Sequence, residues 1–339
     1  MSTLDLEALI GVPKLPKYLQ QIHTAIEASL ADADSIIRDA ALRHALAPSK
    51  RLRPAMTLAV VHALGKPINK KVITACVAIE LAHVSSLIHD DIIDEADSRR
   101  GIPTINSQEG VDQAIIIGDY VLAEACAQAA AVSAEAARIV ARAIARICDG
   151  QSREVADQYN IDREGELMLN SIRGKTAELF AAACRIGGLC AGVPVAQLDA
   201  LSAYGEQFGM AFQLIDDVLD FVSTDELLGK HIGNDIAEGV YTMPVLLALH
   251  GPEQEAIRSA LSERSRPTSA FTELLINEYA IGKTIEVAKR FNAQASEALT
   301  ALVGKGRDFK HLSELPEAYL TWSLSSLAAP EYRSAVANL

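Results

Sequence analysis

The sequence is poor in the residues that build sheets and in the patterns that mark secretion or nucleic-acid binding. Aromatic residues make up 5% of its 339 positions, with 12 Pro and 20 Gly spread thinly. Alternating Val/Ile/Thr runs bounded by Asn-Gly or Asp-Gly turns are absent, so a sheet-based fold has little to build on. The 5 cysteines, Cys76, Cys126, Cys148, Cys184 and Cys190, are odd in number and lack CxxC spacing. That argues against a zinc or redox centre and reads as buried thiols of a reducing compartment. A basic excess is missing too: the net charge of −13 argues against nucleic acid as a partner, because neutralising phosphates takes a basic face. MSTLDLEALIGVPKLPKYL has neither the basic start nor the continuous apolar core of a secretory signal. Glu80, Glu124, Glu135 and several Arg interrupt the apolar windows before they reach the roughly 18 to 20 residues that span a bilayer. The expectation is a cytoplasmic protein with no transmembrane segment.

What fills the chain is Ala, Leu, Glu and Arg at helical spacing. The pattern predicts helices over 16–46, 53–64, 69–95, 108–131, 133–159, 162–190, 195–222, 239–250, 253–263, 269–277 and 281–303. Breaks at Gly-Lys-Pro (65–67), Gly-Ile-Pro (101–103) and Gly-Val-Pro (192–194) suit helix ends. No low-complexity linker, tandem repeat or long charge run divides the chain. The fold class is therefore all-α, one domain over residues 1–339, a bundle of about a dozen helices. Ala-rich stretches such as AEACAQAAAVSAEAARIVARAIA suit inner helices that approach closely, and no sustained heptad seam supports a coiled-coil rod.

Against this apolar background LIHDDIIDEADSRRG crowds Asp90, Asp91, Asp94, Glu95 and Asp97 before Arg99 and Arg100. Asp90 and Asp94 are four apart and share one helix face, where two carboxylates repel and require a cation. The same DDxxD pattern returns in QLIDDVLDF as Asp216, Asp217 and Asp220. One such motif suits a solvated acidic surface, but two, each within an apolar helix, do not. Magnesium fits the need, since it is held by one or two carboxylates plus substrate phosphates. Two facing acidic helices could thus clamp a diphosphate through Mg²⁺.

The basic residues suit such a site. Arg99 and Arg100 carry guanidinium forks that match phosphate oxygens. Lys50 and Arg53 in SKRLRP stand at a helix start, where free N–H groups also favour an anion. Lys175 and Thr176 in RGKTAELF, and Lys230 and Asp235 in LLGKHIGND, add to it, although each alone reads equally as surface charge.

In order along the chain, KRLRP, LIHDDIIDEADSRRGIPT, GDYVLAEA, GQSRE, IRGKTAELF, FGMAFQLIDDVLDF and GKHIGNDIAEGVYTMPVLLAL resemble the all-trans polyprenyl diphosphate synthases, the isoprenyl chain elongation enzymes. The resemblance runs from about residue 20 to residue 300 and is strongest to bacterial long-chain members. It implies a deep central cavity in an all-α bundle, usually dimeric, with the two Asp-rich motifs facing across its mouth. It implies that Asp90, Asp94 and Asp216 bind Mg²⁺ directly, about three ions per site, while Asp91, Asp217, Asp220 and Asp235 act in the outer shell or through water. Arg99, Lys175 and Lys230 would hold the allylic diphosphate. Lys50, Arg53, His83 and Arg100 would hold isopentenyl diphosphate, and Thr176 and Gln213 would lie beside the reacting allylic carbon. His83, seven residues before Asp90, is about two turns away on the same face.

The implied chemistry is ionisation of the allylic diphosphate, attack by the isopentenyl double bond and loss of a proton to the departing diphosphate. Lys175, Thr176, Gln213 and Lys230 are its expected catalytic groups, with no covalent enzyme nucleophile. Ala82, Ser85 and Ser86 lie upstream of Asp90, where bulky residues close the cavity of short-chain relatives. Small residues there imply a long product, with Ala123, Cys126 and Ala127 of segment 118–131 as an alternative floor. A membrane surface is expected only as a peripheral contact that accepts this product.

Two positions depart from the family pattern: Pro48 and Ser49 replace a usual Gly-Gly, and Val240 stands where Lys is frequent. Some long-chain bacterial members also lack that Lys. The rival readings are a class I terpene synthase acting on one prenyl diphosphate, a silent subunit of a heteromeric synthase, and a purely structural bundle. Only the first would share the chemistry, and it would have no use for Lys50, Arg53, His83 and Arg100 as a second-substrate site.

Overall fold

The protein is seen here as a computed structural model that describes residues 5–228, 233–262, 269–277, 279–302, 304 and 307–337. Among these residues the fold is all-α apart from one small hairpin. The N-terminal half contains α1 (Leu6–Ile10), α2 (Leu15–Leu30), α3 (Ser35–Ala45), α4 (Leu52–Ala63) and α5 (Lys70–Ile93). The hairpin β1 (Ser98–Arg99) and β2 (Ile102–Pro103) follows, then α6 (Ile105–Glu109), α7 (Val111–Val132) and α8 (Ala134–Ala156). Next come α9 (Gly165–Ile172), a π-helical turn (Arg173–Ala177), α10 (Glu178–Ala191) and α11 (Val195–Val222). The remainder holds α12 (Asp225–Leu228), α13 (Asn234–Ala237), α14 (Met243–Ala248), α15 (Gln254–Ser262), α16 (Ser269–Asn277), α17 (Ala280–Ala298), α18 (Lys310–Leu327) and α19 (Pro330–Ala337).

The centre is built by α5 against α7 and by α10 against α11, with α4 on α10 and α17 on α11. Helix α5 is apolar almost all round, burying Val72, Cys76, Ile79, Leu81 and Ala82, as an inner helix should. Its polar residues are few: Lys70, Lys71 and Thr74 near its start, buried Glu80 midway, and a denser group in the C-terminal turns that includes Asp90, with Asp94 at the C-cap.

Several predicted helices divide, each for a local reason. The expected 16–46 breaks before Ser35, where the Asp34 carboxylate accepts from Ile36 N at 3.0 Å and caps a new start. The expected 108–131 begins earlier and breaks at Gly110, whose φ of 87° lies outside the helical region. Helices α18 and α19 lie beyond the last predicted one. Pro316 inside α18 has no N–H to give to the Leu312 carbonyl one turn back, and Tyr204 Oη donates to that oxygen instead at 2.7 Å. Asn292 Nδ2 donates to Pro316 O at 3.2 Å, so a residue that would disrupt an isolated helix is bonded into place from α11 and α17.

Two readings need correction. Helices α5 and α7 are long and apolar enough to cross a membrane by length and composition, contrary to the expectation that no segment is. Two-thirds of the α5 window is buried within the protein, as in a core helix, against one-third for α7. The cysteines are not uniformly buried either: Cys76 and Cys184 are, but Cys126 and Cys190 are half-buried and Cys148 is exposed on α8. Burial pushes the Cys76 and Cys184 thiols well up and Cys190 up to about 11, which leaves them unreactive as nucleophiles.

Candidate active site

A cavity of about 840 Å³ opens between the C-terminal end of α5 and the C-terminal half of α11. Asp90 and Asp94 line it from α5, Asp216 and Asp220 from α11, and Asp235 from α13. The two aspartate motifs therefore face one space. Burial is the main influence on Asp94, raising its carboxyl to about 6 with Asp90 adding and Lys175 opposing. Glu238 is pushed up to about 7 by burial and by Asp94 and Asp235. Burial also raises Asp90 and Asp91.

Asp91 and Asp217 point away from the main space and brace it. Asp91 is buried and accepts from Arg99 Nε at 2.5 Å, which ties the hairpin to α5. Asp217 accepts from Gln213 Nε2 at 3.0 Å, and Gln213 Oε1 accepts from Thr176 Oγ1 at 2.8 Å. This chain fixes both the amide orientation and the threonine hydroxyl at the wall. Behind it lies a side chamber of about 100 Å³, lined by Asp94, Lys175, Thr176, Gln213, Asp217 and Glu238 among others, and by Val240.

Lys175 and Thr176 sit in the π-helical turn, whose extra residue re-aims side chains relative to a regular helix. The turn is wedged against α8 by glycines: a Cβ on Gly150 would lie 2.4 Å from Lys175 N, and one on Gly174 would lie 2.6 Å from Arg146 O. Only hydrogen fits at either contact. Close approach brings Glu154 of α8 to Lys175, with Oε1 2.6 Å from Nζ, while Asp90 Oδ1 lies 3.8 Å away. Burial works against the Lys175 charge, but Asp90, Glu154 and Asp94 together hold its pKa above the usual value.

The opposite wall is cationic. Lys50, Arg51, Arg53, His83, Arg99 and Arg100 all line the cavity. Arg51 Nη1 pairs with buried Glu80 at 2.5 Å and its other nitrogen donates to the Ala45 carbonyl. Burial, then Arg53, Arg100, Arg99 and Arg51, drive the His83 pKa well below 6.5, so its ring is neutral. Its Nε2 can then accept from Arg53 Nη1 at 3.2 Å. Arg53 also lies over the Phe180 ring at 4.3 Å, and burial lowers its pKa to about 10.

Backbone strain gathers at the same cavity. Arg51, Glu95 and Arg100 line it and adopt φ of 48°, 49° and 54°, at a cost of roughly 1 kcal/mol each. Arg100 and Gly101, at 76°, are the two central residues of the hairpin joining Arg99 to Ile102, as a type I′ turn demands.

Lys230 lies outside the described residues. Of the small residues before Asp90, Ser86 lines the cavity, whereas Ala82 and Ser85 are buried and Ser85 Oγ donates to Gly118 O of α7 at 2.9 Å. Ala123 and Ala127 are exposed on α7, away from its buried face, and so do not form a floor within this chain. Sequence reasoning missed Glu154, Glu238, Phe212, Tyr319 and Trp322. GQSRE contains Glu154, GKHIGNDIAEGVYTMPVLLAL contains Glu238 and FGMAFQLIDDVLDF contains Phe212, so each could have been flagged; Tyr319 and Trp322 carried no motif.

The sequence model of the polyprenyl synthetase family matches residues 35–277. Heptaprenyl diphosphate synthase component 2 of Geobacillus stearothermophilus is 36% identical over 245 residues, 72% of this chain and 75% of its own. Nonaprenyl diphosphate synthase of Mycobacterium tuberculosis is 34% identical over 301 residues, 84% of this chain and 90% of its own. The crystal structure of polyprenyl synthase from Caulobacter crescentus CB15, complexed with calcium and isoprenyl diphosphate, superposes with a TM-score of 0.84 at 32% identity. That match covers 94% of this chain and 98% of the other. Fold and likeness together define a prenyltransferase of the all-α kind. The chain belongs to the polyprenyl synthetase family.

Proposed function

We propose that the protein is a Mg²⁺-dependent trans-prenyltransferase that condenses isopentenyl diphosphate with farnesyl or geranylgeranyl diphosphate to give a long-chain all-trans polyprenyl diphosphate. The observation that carries this reading is the shared cavity: Asp90 and Asp94 face it from one helix, Asp216 and Asp220 from another, and a cation-lined wall completes it.

The donor set fits magnesium. It consists of hard carboxylate oxygens, and burial with mutual repulsion has raised Asp94 and Glu238, an imbalance that a divalent cation relieves. Asp90, Asp94 and Asp216 would hold it directly, with Asp91, Asp217, Asp220 and Asp235 behind them. Bound there, about three ions would supply Lewis-acid stabilisation of the leaving diphosphate.

The chain's own residues do the rest. Lys175, fixed by Glu154, presents its ammonium to the allylic diphosphate beside Asp90. Thr176 and Gln213, locked by Asp217, offer oxygens to the allylic cation. Neutral His83 accepts from Arg53 and so aims one guanidinium nitrogen, leaving others for isopentenyl diphosphate with Lys50 and Arg100. Diphosphate itself takes the proton, and no thiol takes part.

The long product is supported by Ser86, small where it lines the cavity, and by relatives named for heptaprenyl and nonaprenyl products. The protein works as one all-α unit in the cytoplasm. A homodimer would use the outer face of α7, where Val111, Ile115 and Ile116 are exposed, and a membrane would serve only to accept product.

The test is incorporation of labelled isopentenyl diphosphate by purified protein, with allylic starter, isopentenyl diphosphate or Mg²⁺ omitted in turn. Incorporation that needs all three supports the reading. Diphosphate release from the allylic substrate alone, undiminished without isopentenyl diphosphate, would favour a class I terpene synthase instead.

A further inference from the structure

Helix α18 carries no family motif; its last residue, Leu327, lines the cavity, and two aromatic residues further up pack against Lys50, which also lines it. Tyr319 and Trp322 project from α18 three residues apart, on one face, and both rings lie beneath the ammonium of Lys50. Lys50 Nζ is 4.6 Å from the Trp322 ring centre and 5.4 Å from that of Tyr319, within the range of a cation–π contact. It also donates to Tyr319 Oη at 3.3 Å. The indole N–H of Trp322 is buried without an acceptor among the described residues, so the ring serves here through its face and not through a hydrogen bond.

This seat is rigid. Tyr319 stacks on Phe212 with centroids 5.3 Å apart and meets Phe208 at 6.0 Å, which ties α18 to the α11 turn that bears Gln213 and Asp216. Tyr319 and Trp322 are themselves in contact at 5.8 Å. Below them, Tyr204 and Asn292 hold the carbonyls of Leu312 and Pro316 around the proline of α18. A lysine side chain loses much rotamer freedom when fixed. Here the loss is met by the protein before substrate arrives; burial lowers the Lys50 pKa and Asp216 opposes it only in part.

We infer that Tyr319 and Trp322 are positioning residues that seat the Lys50 ammonium for isopentenyl diphosphate, acting on the second substrate and not on the allylic one. The inference rests on the proposed assignment of Lys50 to isopentenyl diphosphate. It makes the C-terminal helix part of the substrate site, although it lies beyond the residues matched by the family model.

Trp322 is the chain's 1 tryptophan, so its emission reports on this seat without reference to turnover. Titration of the full-length protein with isopentenyl diphosphate should change that emission saturably, and Lys50→Ala should abolish the change or shift its midpoint about tenfold. In steady-state assays Trp322→Leu and Tyr319→Leu should each raise the KM for isopentenyl diphosphate about five- to tenfold and leave the KM for the allylic substrate within about twofold. Trp322→Phe, which keeps a ring face, should restore most of the loss. In a Lys50→Ala background the aromatic substitutions should add nothing further. Equal increases in both KM values, full additivity with Lys50→Ala, or unchanged emission in an enzyme that elongates would overturn the inference. Absence of elongation by the unsubstituted protein would instead overturn the functional reading beneath it.

Discussion

Lys175 Nζ stands 2.6 Å from Glu154 Oε1 and 3.8 Å from Asp90 Oδ1, so one ammonium links α8, the π-helical turn and the first aspartate motif. The glycine contact between Gly150 and the Lys175 backbone sets this separation. Removing the ammonium with Lys175→Ala should lower turnover by about a hundredfold or more, the usual loss for an electrostatic group at a leaving anion. Glu154→Gln keeps a hydrogen-bond acceptor but not its charge, and should cost about tenfold with a raised KM for the allylic substrate. Wild-type kinetics for Glu154→Gln would show that Asp90 alone orients the lysine.

Thr176, Gln213 and Asp217 form one hydrogen-bonded line. Gln213→Leu breaks both links and strips the wall of an oxygen near the proposed cation. Turnover should fall about tenfold to a hundredfold while the substrate KM values change little. A loss confined to KM would place Gln213 in ground-state binding.

The acidic face makes a pH prediction for the metal-free protein. Asp94 is raised to about 6, chiefly by burial. A carboxyl whose folded pKa exceeds its unfolded value favours the fold while protonated; that contribution is complete below about pH 4 and lost as pH rises through about 6. Asp94→Asn should therefore gain stability relative to the unsubstituted protein over this window, by roughly 2 kcal/mol after allowing for solvent screening, and level off above it. Urea denaturation in chelator at pH 4.5, 5.5 and 7 checks this. A difference that does not vary with pH would mean that Asp94 titrates normally.

Product length gives a residue-level contrast. Ser86 lines the cavity, but Ser85 is spent on Gly118 O between α5 and α7. Ser86→Phe should shorten the dominant product by several isoprene units with the fold intact. Ser85→Phe, forced into the helix contact, should lower the melting temperature by overpacking. If Ala82→Phe, deeper in α5, also leaves product length unchanged when Ser86→Phe does, the tunnel wall is not on this helix.

The motif residues were legible because charge within an apolar helix needs a reason, and two copies of DDxxD supplied one. Their convergence on a single cavity follows from helix packing and the hairpin, whose type I′ turn at Arg100–Gly101 looked like a simple helix end. Helical periodicity also hid the breaks: Asp34 caps a new helix inside an otherwise continuous pattern, and the π-helical turn around Lys175 falls inside the single helix expected over 162–190. Helix α18 was illegible because Pro316 argues against a helix in isolation. It is rescued by Tyr204 and Asn292, more than a hundred and about two dozen residues away in sequence. Tyr319 and Trp322 were lost with it.

The most direct measurement is chromatographic sizing of dephosphorylated products after incubation with Mg²⁺, labelled isopentenyl diphosphate and farnesyl or geranylgeranyl diphosphate. The account predicts a ladder of all-trans chains that ends in one dominant long product. No chain longer than the supplied starter would contradict it.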